Sequence, residues 1–317
     1  MQDEAWKEGL PAGVADRIGS ASLKGGRAVV VLDATGWSAD ERKSAEEAVG
    51  AALSRSPEVD EVRIATTAQK APTRILAVAS GKGGVGKSTV ATNLAIALAK
   101  RGRRVGVVDA DIYGPSQPVL LATKDAKPEA RDKKLVPVET PYGVSLLSMG
   151  HLAKPGQAIA WRGPMAGTAL SQLIDAHWDA DLLVVDMPPG TGDVQLTMLS
   201  KFRPVGAVLV STPQDLALID AARAGQLFEQ AGVPIVGLVE NMAGYACPHC
   251  GEVSDPFGSG GVEAAAIRLE LPFLGRIPLE LNIREGSDAG KPPASTGDDG
   301  PFADLADKVD AWLSANA

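Results

Sequence analysis

The chain has 317 residues, with 31 lysines and arginines against 39 aspartates and glutamates, so its formal net charge is −8. This acidic balance argues against a general nucleic-acid binder. A hydrophobic content of 45% is ample for one large α/β domain with a small second one. No apolar run approaches the roughly 20 residues that span a bilayer, and Met1–Trp6 is acidic where a secretory signal would be basic. We therefore expect a cytoplasmic protein without stable membrane association.

The first 70 residues predict a small α+β domain. Arg27–Leu32 and Val59–Ala65 have the apolar, β-branched composition of strands, and Ser38–Ser54 has the pattern of an amphipathic helix with Ser38 as its N-cap. A β-α-β unit of this size is only marginally stable by itself. We expect this domain and its linker to occupy residues 1–70 and the main domain to occupy residues 71–317.

A glycine-rich segment between a predicted strand and a predicted helix is the most informative feature of the chain. The apolar run Ile75–Ala79 suits a buried strand, and Lys87–Lys100 has apolar residues at helical spacing. The segment between them fits G-x-x-x-x-G-K-[ST], in which backbone amides wrap nucleotide phosphates and the terminal lysine reaches the outer ones. We expect ATP or GTP to be bound by Gly81, Lys82, Gly83, Gly84, Val85, Gly86, Lys87, Ser88 and Thr89.

Apolar strand candidates recur along the rest of the chain, most of them after helical intervals. They are Val105–Val108, Val144–Leu147, Leu182–Val185, Val205–Val210, Ile235–Val239 and Pro272–Gly275. This alternation predicts a mostly parallel sheet with helices on both faces. An amphipathic helix from Pro301, which includes Trp312, is expected at the end. Ligands of such sheets lie at the carboxyl ends of the strands.

Two acidic motifs follow predicted strands. Asp109 and Asp186 each come directly after an apolar run, where a carboxylate is placed to bind the nucleotide's Mg²⁺, usually through water. We expect Asp186, through water, and the hydroxyl of Ser88 to hold the ion, and Asp111 to orient the attacking water. Helix capping is the alternative for Asp186 and Asp111. Gly190 allows its loop to approach the nucleotide closely and to move.

The only two cysteines, Cys247 and Cys250, lie three residues apart in a turn-rich segment. This spacing favours a metal or redox role over two unrelated buried thiols. A zinc or iron–sulfur site normally needs about four ligands. Two chains would supply four thiolates, so a homodimer with one shared site on its two-fold axis is the economical arrangement. His249 could instead add a ligand within one chain.

Together, these motifs resemble those of the Mrp/ApbC-type iron–sulfur cluster carriers, within the deviant-Walker P-loop ATPases that also include nitrogenase iron protein and the MinD and ParA proteins. The matching segments are Gly81–Thr89, Asp109–Ser116, Trp161–Met165, Asp186–Asp193, Glu240–Met242, Cys247–Cys250 and Ile283–Gly290. The resemblance implies a P-loop NTPase fold and favours ATP. It also implies a labile [4Fe–4S] cluster that Cys247 and Cys250 of two subunits hold between them.

The same resemblance assigns roles to two further residues and to the N-terminal segment. Lys82 would reach across a nucleotide-sandwich dimer to the partner's phosphates, where two facing triphosphates need added positive charge. Asn241 would contact the adenine. The N-terminal segment resembles a shortened iron–sulfur-assembly accessory domain but lacks the opening Asp-Pro-Glu motif and any cysteine. Docking and a structural remnant are the alternatives for that segment.

The main hypothesis is a dimeric, ATP-dependent carrier that receives a [4Fe–4S] cluster from a scaffold and passes it to apoproteins. Slow ATP hydrolysis, with Lys82, Lys87 and Asp111 as catalytic residues, would change the dimer's geometry as a switch. One alternative is a positioning or partitioning ATPase that cycles on a surface, although the acidic C-terminal helix disfavours anionic lipid. The other is a zinc-stapled dimer in which the cysteines only join the subunits.

Overall fold

The computed structural model describes residues 5–7, 9–35, 37, 39–67, 73–112, 114–152, 164–297 and 299–316. The chain forms two compact units, Met1–Pro72 and Thr73–Ala317. Some residues named above fall outside the described part of the chain. They are Met1–Glu4, the N-cap Ser38, the predicted domain boundary between residues 70 and 71, Tyr113 of the first acidic motif, and Trp161–Gly163.

Within the described residues, the smaller unit is a three-stranded sheet with one α-helix and two short 3₁₀ helices. Its elements are β1 (Ile18–Lys24), β2 (Arg27–Asp33), α1 (Ala39–Leu53) and β3 (Glu61–Thr67). The central strand β2 is antiparallel to β1 and parallel to β3. Val30 and Leu32 of β2 are fully buried in one cluster with Val49 and Leu53 of α1. The predicted β-α-β pattern is present, whereas β1 is an unpredicted strand because Gly19 and two serines interrupt its apolar alternation.

The larger unit contains one main sheet, two small hairpins and nine α-helices within the described residues. In chain order its elements are β4 (Arg74–Ala79), α2 (Lys87–Lys100), β5 (Val105–Asp109), α3 (Gln117–Leu120), β6 (Glu129–Arg131), β7 (Lys134–Val136), β8 (Val138–Glu139), β9 (Val144–Ser148), α4 (Met149–Leu152), α5 (Pro164–Ile174), β10 (Leu182–Asp186), α6 (Asp193–Thr197), β11 (Gly206–Ser211), α7 (Asp215–Gln230), β12 (Ile235–Asn241), β13 (Tyr245–Ala246), β14 (Val253–Ser254), α8 (Gly261–Arg268), β15 (Phe273–Ile277), α9 (Leu281–Asp288) and α10 (Ala303–Ala315).

The main sheet has the strand order β15-β12-β11-β4-β10-β5-β9-β8. All of its neighbouring strands are parallel except the short edge strand β8, which is antiparallel to β9. Alternate residues of β4 point to opposite faces. Leu76 and Val78 join a hydrophobic cluster with α2 and α10, and Ile75 and Ala77 join one with α5 and α7. The predicted α/β fold, with helices on both faces, is confirmed.

Several element boundaries differ from those predicted. β12 extends two residues further, to Asn241, and β15 covers Phe273–Ile277. The C-terminal helix begins with a 3₁₀ turn at Gly300–Phe302, and α10 follows it, because a proline fits the first turn of a helix. Among the residues that the structure describes, no helix combines the length and the apolar character needed to cross a bilayer.

Candidate nucleotide site and cysteine hairpin

The glycine loop joins the carboxyl end of β4 to the first turn of α2. Gly84 and Gly86 have φ angles of 80° and 78°, in the left-handed region that glycine adopts without strain. Helix α2 begins at the next residue, so its free amides open onto the loop. The amide of Gly190 donates a 3.0 Å hydrogen bond to the carbonyl of Ser80, which brings the loop after β10 alongside. Strand, loop and helix therefore occur in the order that a phosphate-binding loop requires.

A buried ion pair lies at the base of this loop. The ammonium of Lys87, at the start of α2, donates a hydrogen bond to Oδ1 of Asp186, at the end of β10. Lys87 is 6% exposed and Asp186 is fully buried. The two groups stabilise each other's charge, because removal of either would leave the other buried without a counter-charge.

Asp109 and Asp186 are paired residues at the ends of the neighbouring strands β5 and β10. Asp109 is fully buried and accepts hydrogen bonds from the hydroxyl of Ser148 at 2.9 Å and from the amides of Asp111 at 3.2 Å and Gln117 at 3.1 Å. Burial and the nearby charge of Asp186 nevertheless raise the pKa of Asp109 to about 8. A cation bound at this edge would therefore favour the ionised form of Asp109.

The donor set at this edge fits Mg²⁺. Ser88, in the first turn of α2, together with the two acids Asp109 and Asp186, offers the hard oxygen ligands that this ion prefers. Nucleotide phosphates usually supply further ligands to Mg²⁺. Within the described residues, no group of three or more histidine, cysteine, aspartate or glutamate side chains forms a metal site by itself. A shared site for the ion and a nucleotide is consistent with both observations.

The remaining predicted residues of the nucleotide site lie around the loop. Lys82 is exposed, and Ser88 and Thr89 are half-buried. Asp111 is half-buried, and its Oδ1 accepts a 3.2 Å hydrogen bond from the amide of Gly114, so it stabilises a local turn. Its role towards an attacking water stays a prediction.

Asn241 supports the glycine loop through a hydrogen bond to its backbone. It is the last residue of β12 and is 6% exposed. Its Nδ2 donates a 2.8 Å hydrogen bond to the carbonyl of Val85. This contact joins residues 156 positions apart, so no local sequence pattern predicts it. The predicted contact of Asn241 with adenine stays a prediction.

Gly86→Ala should weaken both the fold and nucleotide binding. An added Cβ would lie 2.1 Å from Nδ2 of Asn241 on a backbone with φ of 78°. We expect the free energy of unfolding to fall by about 2–3 kcal/mol, from backbone strain and overpacking together. Urea denaturation measures this loss, and titration with a fluorescent ADP analogue measures affinity.

Gly84→Ala is the matched control for this substitution. Gly84 has nearly the same φ, but an added Cβ would meet nothing within 4 Å. We expect a loss of only about 1 kcal/mol, from backbone strain alone. Equal losses in the two variants would contradict the bracing role of Asn241.

The two cysteines lie at the tip of the β13–β14 hairpin. The amide of Cys247 donates to the carbonyl of Glu252, and the amide of Gly251 donates to the carbonyl of Cys247, each at 2.9 Å. Both thiols are free, with Cys247 half-buried and Cys250 exposed, and His249 is exposed between them. Hydrogen bonds from the amides of Cys250 and His249, and from the Cys250 side chain, lower the pKa of the Cys247 thiol. A lowered pKa favours the thiolate, the form that binds metals.

The hairpin continues directly from the strand that braces the nucleotide loop. Asn241 ends β12, and Cys247 follows six positions later. Two backbone hydrogen bonds hold the base of the hairpin. The amide of Ala243 donates to the carbonyl of Ile277 at 3.0 Å, and the amide of Leu279 donates to the carbonyl of Gly244 at 2.9 Å. One short segment of chain therefore links the two candidate sites.

Comparison with known proteins identifies the family. A family model described as ParA, NUBPL iron-transfer P-loop NTPase, matches residues 71–312. The chain belongs to this family. A relative, the iron–sulfur cluster carrier protein of Pseudomonas fragi, is 49% identical over 233 residues, which cover 72% of this chain and 81% of that protein.

Solved structures agree with membership of the ParA/NUBPL family. A nucleotide-binding protein of Archaeoglobus fulgidus, in complex with ADP, is 38% identical, with a TM-score of 0.63 over 72% of this chain and 91% of that one. The septum site-determining protein MinD of Pyrococcus horikoshii, complexed with Mg-ADP, is 26% identical, with a TM-score of 0.55 over 77% of this chain and 99% of that one. The chain is therefore a nucleotide-binding P-loop NTPase of the ParA/NUBPL family, with nucleotide hydrolysis as its general activity.

Proposed function

We propose that this protein is an ATP-dependent carrier that binds a [4Fe–4S] cluster between two copies of the chain and transfers it to apoproteins. The observation that carries the proposal is the pair of free cysteines on a hairpin that continues from the strand bracing the nucleotide loop. The family's description as iron-transfer NTPases supports it. The name of the Pseudomonas fragi relative supports it as well.

The cluster is the cargo in this proposal. One chain supplies two thiolates, Cys247 and Cys250, and a [4Fe–4S] cluster needs about four ligands, so two copies share one cluster. The exposure of Cys250 suits a cluster that must leave again, because a recipient's thiolates can reach it. His249 lies between the two cysteines in sequence, but the proposal assigns it no ligand role.

ATP acts as the switch. Bound Mg²⁺ would neutralise phosphate charge, with Ser88 as a ligand, Asp186 holding it through water, and Asp109 beside them. Lys87 would leave Asp186 for the phosphates. Asp111 would orient the attacking water. Asn241 would contact the adenine base, as the resemblance implies. We propose slow hydrolysis that changes the dimer's geometry, in a cytoplasmic protein that works with a cluster scaffold and recipient apoproteins.

The smaller unit, over residues 1–70, is proposed as an accessory domain of the iron–sulfur-assembly type. It has a sheet and a small core of its own. It contains no cysteine, so it cannot donate thiolates to the cluster. We propose docking to a scaffold or recipient as its role, with a structural remnant as the alternative.

A transfer assay tests the carrier function. The reconstituted protein is mixed under anaerobic conditions with an apoenzyme that needs a [4Fe–4S] cluster, and the apoenzyme's activity is followed. We expect activation faster than with free iron and sulfide, and a rate that changes when ATP is added. No activation would contradict the carrier. ATPase stimulation by anionic vesicles or DNA instead would favour a positioning ATPase.

Lys82→Ala should separate hydrolysis from nucleotide binding. Lys82 is exposed on the loop and is proposed to act on the partner's phosphates, so we expect ATP turnover to fall about 100-fold, as for loss of a charged group that stabilises the transition state. Affinity for ADP should stay within about threefold, because Lys87 remains.

Lys124→Ala, at an exposed lysine outside the glycine loop, is the control for loss of a surface charge. It should change neither turnover nor affinity. An unchanged turnover in Lys82→Ala would contradict a catalytic role across the dimer.

A further inference from the structure

Gln117 is a buried polar residue that directly follows the acidic motif Asp109–Ser116. It begins α3, eight positions after Asp109, and is fully buried. Its Nε2 donates hydrogen bonds to Oδ2 of Asp186 at 2.9 Å and to the carbonyl of Ser88 at 3.1 Å. Its own amide donates to Oδ2 of Asp109 at 3.1 Å. One residue therefore contacts both acids and the backbone of the predicted hydroxyl ligand.

The orientation of the Gln117 amide group is determined by its neighbours. The carboxylate of Asp186 and the carbonyl of Ser88 can only accept hydrogen bonds, so the NH₂ group must face them. On the other side, Oε1 lies 2.6 Å from the hydroxyl of Thr92, which shares its one hydrogen between Oε1 and the carbonyl of Ser88 at 2.9 Å. The side chain is thus held at both ends, and it cannot turn away from Asp186 without losing buried hydrogen bonds.

The two oxygens of Asp186 have different partners. Oδ1 accepts from the ammonium of Lys87, and Oδ2 accepts from Gln117. When Lys87 turns to the phosphates of a nucleotide, Oδ1 loses its donor but Oδ2 keeps its own. Gln117 is a neutral donor, so it fixes the carboxylate without cancelling the charge that attracts a cation.

We propose that Gln117 is a positioning residue for the Mg²⁺·nucleotide complex, which holds Asp186 and the Ser88 turn in their metal-binding arrangement. This inference rests on the proposed nucleotide function. An apolar residue of similar length would leave Oδ2 of Asp186 buried without a donor. A glutamate would add a third carboxylate to the two already buried at this edge.

Gln117→Met tests the proposal with a measurement independent of turnover. Mn²⁺, a paramagnetic substitute for Mg²⁺, is titrated into the ADP complex, and free Mn²⁺ is measured by electron paramagnetic resonance. We expect about tenfold weaker Mn²⁺ binding, the usual effect of losing a hydrogen bond to a charged group. Affinity for a fluorescent ADP analogue in EDTA should stay within about twofold, because the hydrogen bonds of Gln117 within the described residues go to Thr92, Ser88 and the two acids and not to the glycines of the phosphate loop.

Two further variants make the result unambiguous. Thr92→Val keeps Gln117 but removes the hydroxyl that contacts both Oε1 and the carbonyl of Ser88. Mn²⁺ binding should therefore weaken about threefold, and unchanged Mn²⁺ binding in this variant overturns the proposal if Gln117→Met does not fold. Gln226→Met, at an exposed position on α7, should change nothing.

The outcomes separate this inference from the function on which it rests. Weaker Mn²⁺ binding with unchanged metal-free ADP affinity supports the positioning role. Unchanged Mn²⁺ binding in a folded variant overturns it, and so does an equal loss of both affinities, which indicates a merely structural role. Failure of the wild-type protein to bind ADP or Mn²⁺·ADP would instead contradict the proposed function.

Discussion

Lys87→Ala should abolish nucleotide binding and destabilise the larger unit at the same time. The ammonium of Lys87 is the cationic partner of Asp186, which is fully buried beside a second buried carboxylate, Asp109. Removing one member of such a pair costs about 3–5 kcal/mol of unfolding free energy. Lys87 is also the side chain expected to contact the phosphates of a bound nucleotide, so its loss should weaken ADP binding at least about 100-fold. Urea denaturation and calorimetric titration with ADP measure the two effects.

A double variant separates these effects. In Lys87→Ala combined with Asp186→Asn, the unpaired buried charge is gone, so we expect most of the lost stability to return while ADP binding stays absent. Lys100→Ala is the matched control. Lys100 contacts Asp299 at 2.8 Å but is 34% exposed, and the buried Asp299 keeps its ion pair with Arg101, also at 2.8 Å, so the loss of Lys100 should cost less than about 1 kcal/mol. If the double variant were no more stable than Lys87→Ala, the ion pair would not be the cause.

Cys247→Ala and Cys250→Ala should each remove the iron–sulfur cluster completely. Each substitution takes two of the roughly four thiolates from a shared cluster, because both copies of the chain carry it. After anaerobic reconstitution with iron and sulfide, we expect both variants to lack the visible absorption of the cluster. ADP affinity should remain at the wild-type level, since neither thiol belongs to the nucleotide site.

His249→Ala is the control for this pair of substitutions. His249 is exposed between the two cysteines, and we assign it no ligand role. Its replacement should leave the cluster absorption unchanged. A cluster retained by either cysteine variant would contradict the shared site, and loss of the cluster in His249→Ala would indicate a histidine ligand within each chain.

Much of the larger unit could be predicted because its determinants are local. The strand before the glycine loop, the helix after it, and Asp109 and Asp186 at strand ends follow from apolar runs and residue spacing. The parallel order then brings the two acids together, since the carboxyl ends of neighbouring strands meet at one edge. The predicted fold and the position of each acid at a strand end therefore needed no long-range information, whereas the adjacency of β5 and β10 depends on the strand order.

The contacts that sequence reasoning missed are long-range hydrogen bonds. Gln117 contacts Asp186 across 69 positions, and Asn241 contacts Val85 across 156 positions. Hydrophobic periodicity does not reveal a single buried glutamine or asparagine. From its sequence neighbours alone, each of these two residues is predicted to lie in a turn or a short helix. A polar residue at a helix start close behind an acidic motif was the one signal available for Gln117.

The cysteine segment could be predicted from the sequence only in part. Its glycines and prolines predict turns, and the structure has a short hairpin with Cys247 and Cys250 at its tip. The spacing predicts metal or redox chemistry but not the backbone amides that lower the pKa of Cys247. Those amides depend on the fold of the hairpin tip, which the residue types alone do not determine.

Native mass spectrometry of the reconstituted protein, under anaerobic conditions, tests the central claim most directly. The account predicts a dimer whose added mass corresponds to one cluster of about four irons and four sulfides, absent from Cys247→Ala and Cys250→Ala. A zinc ion in place of the cluster would make the cysteines a staple between subunits. A metal-free monomer that still binds ADP would contradict the carrier function.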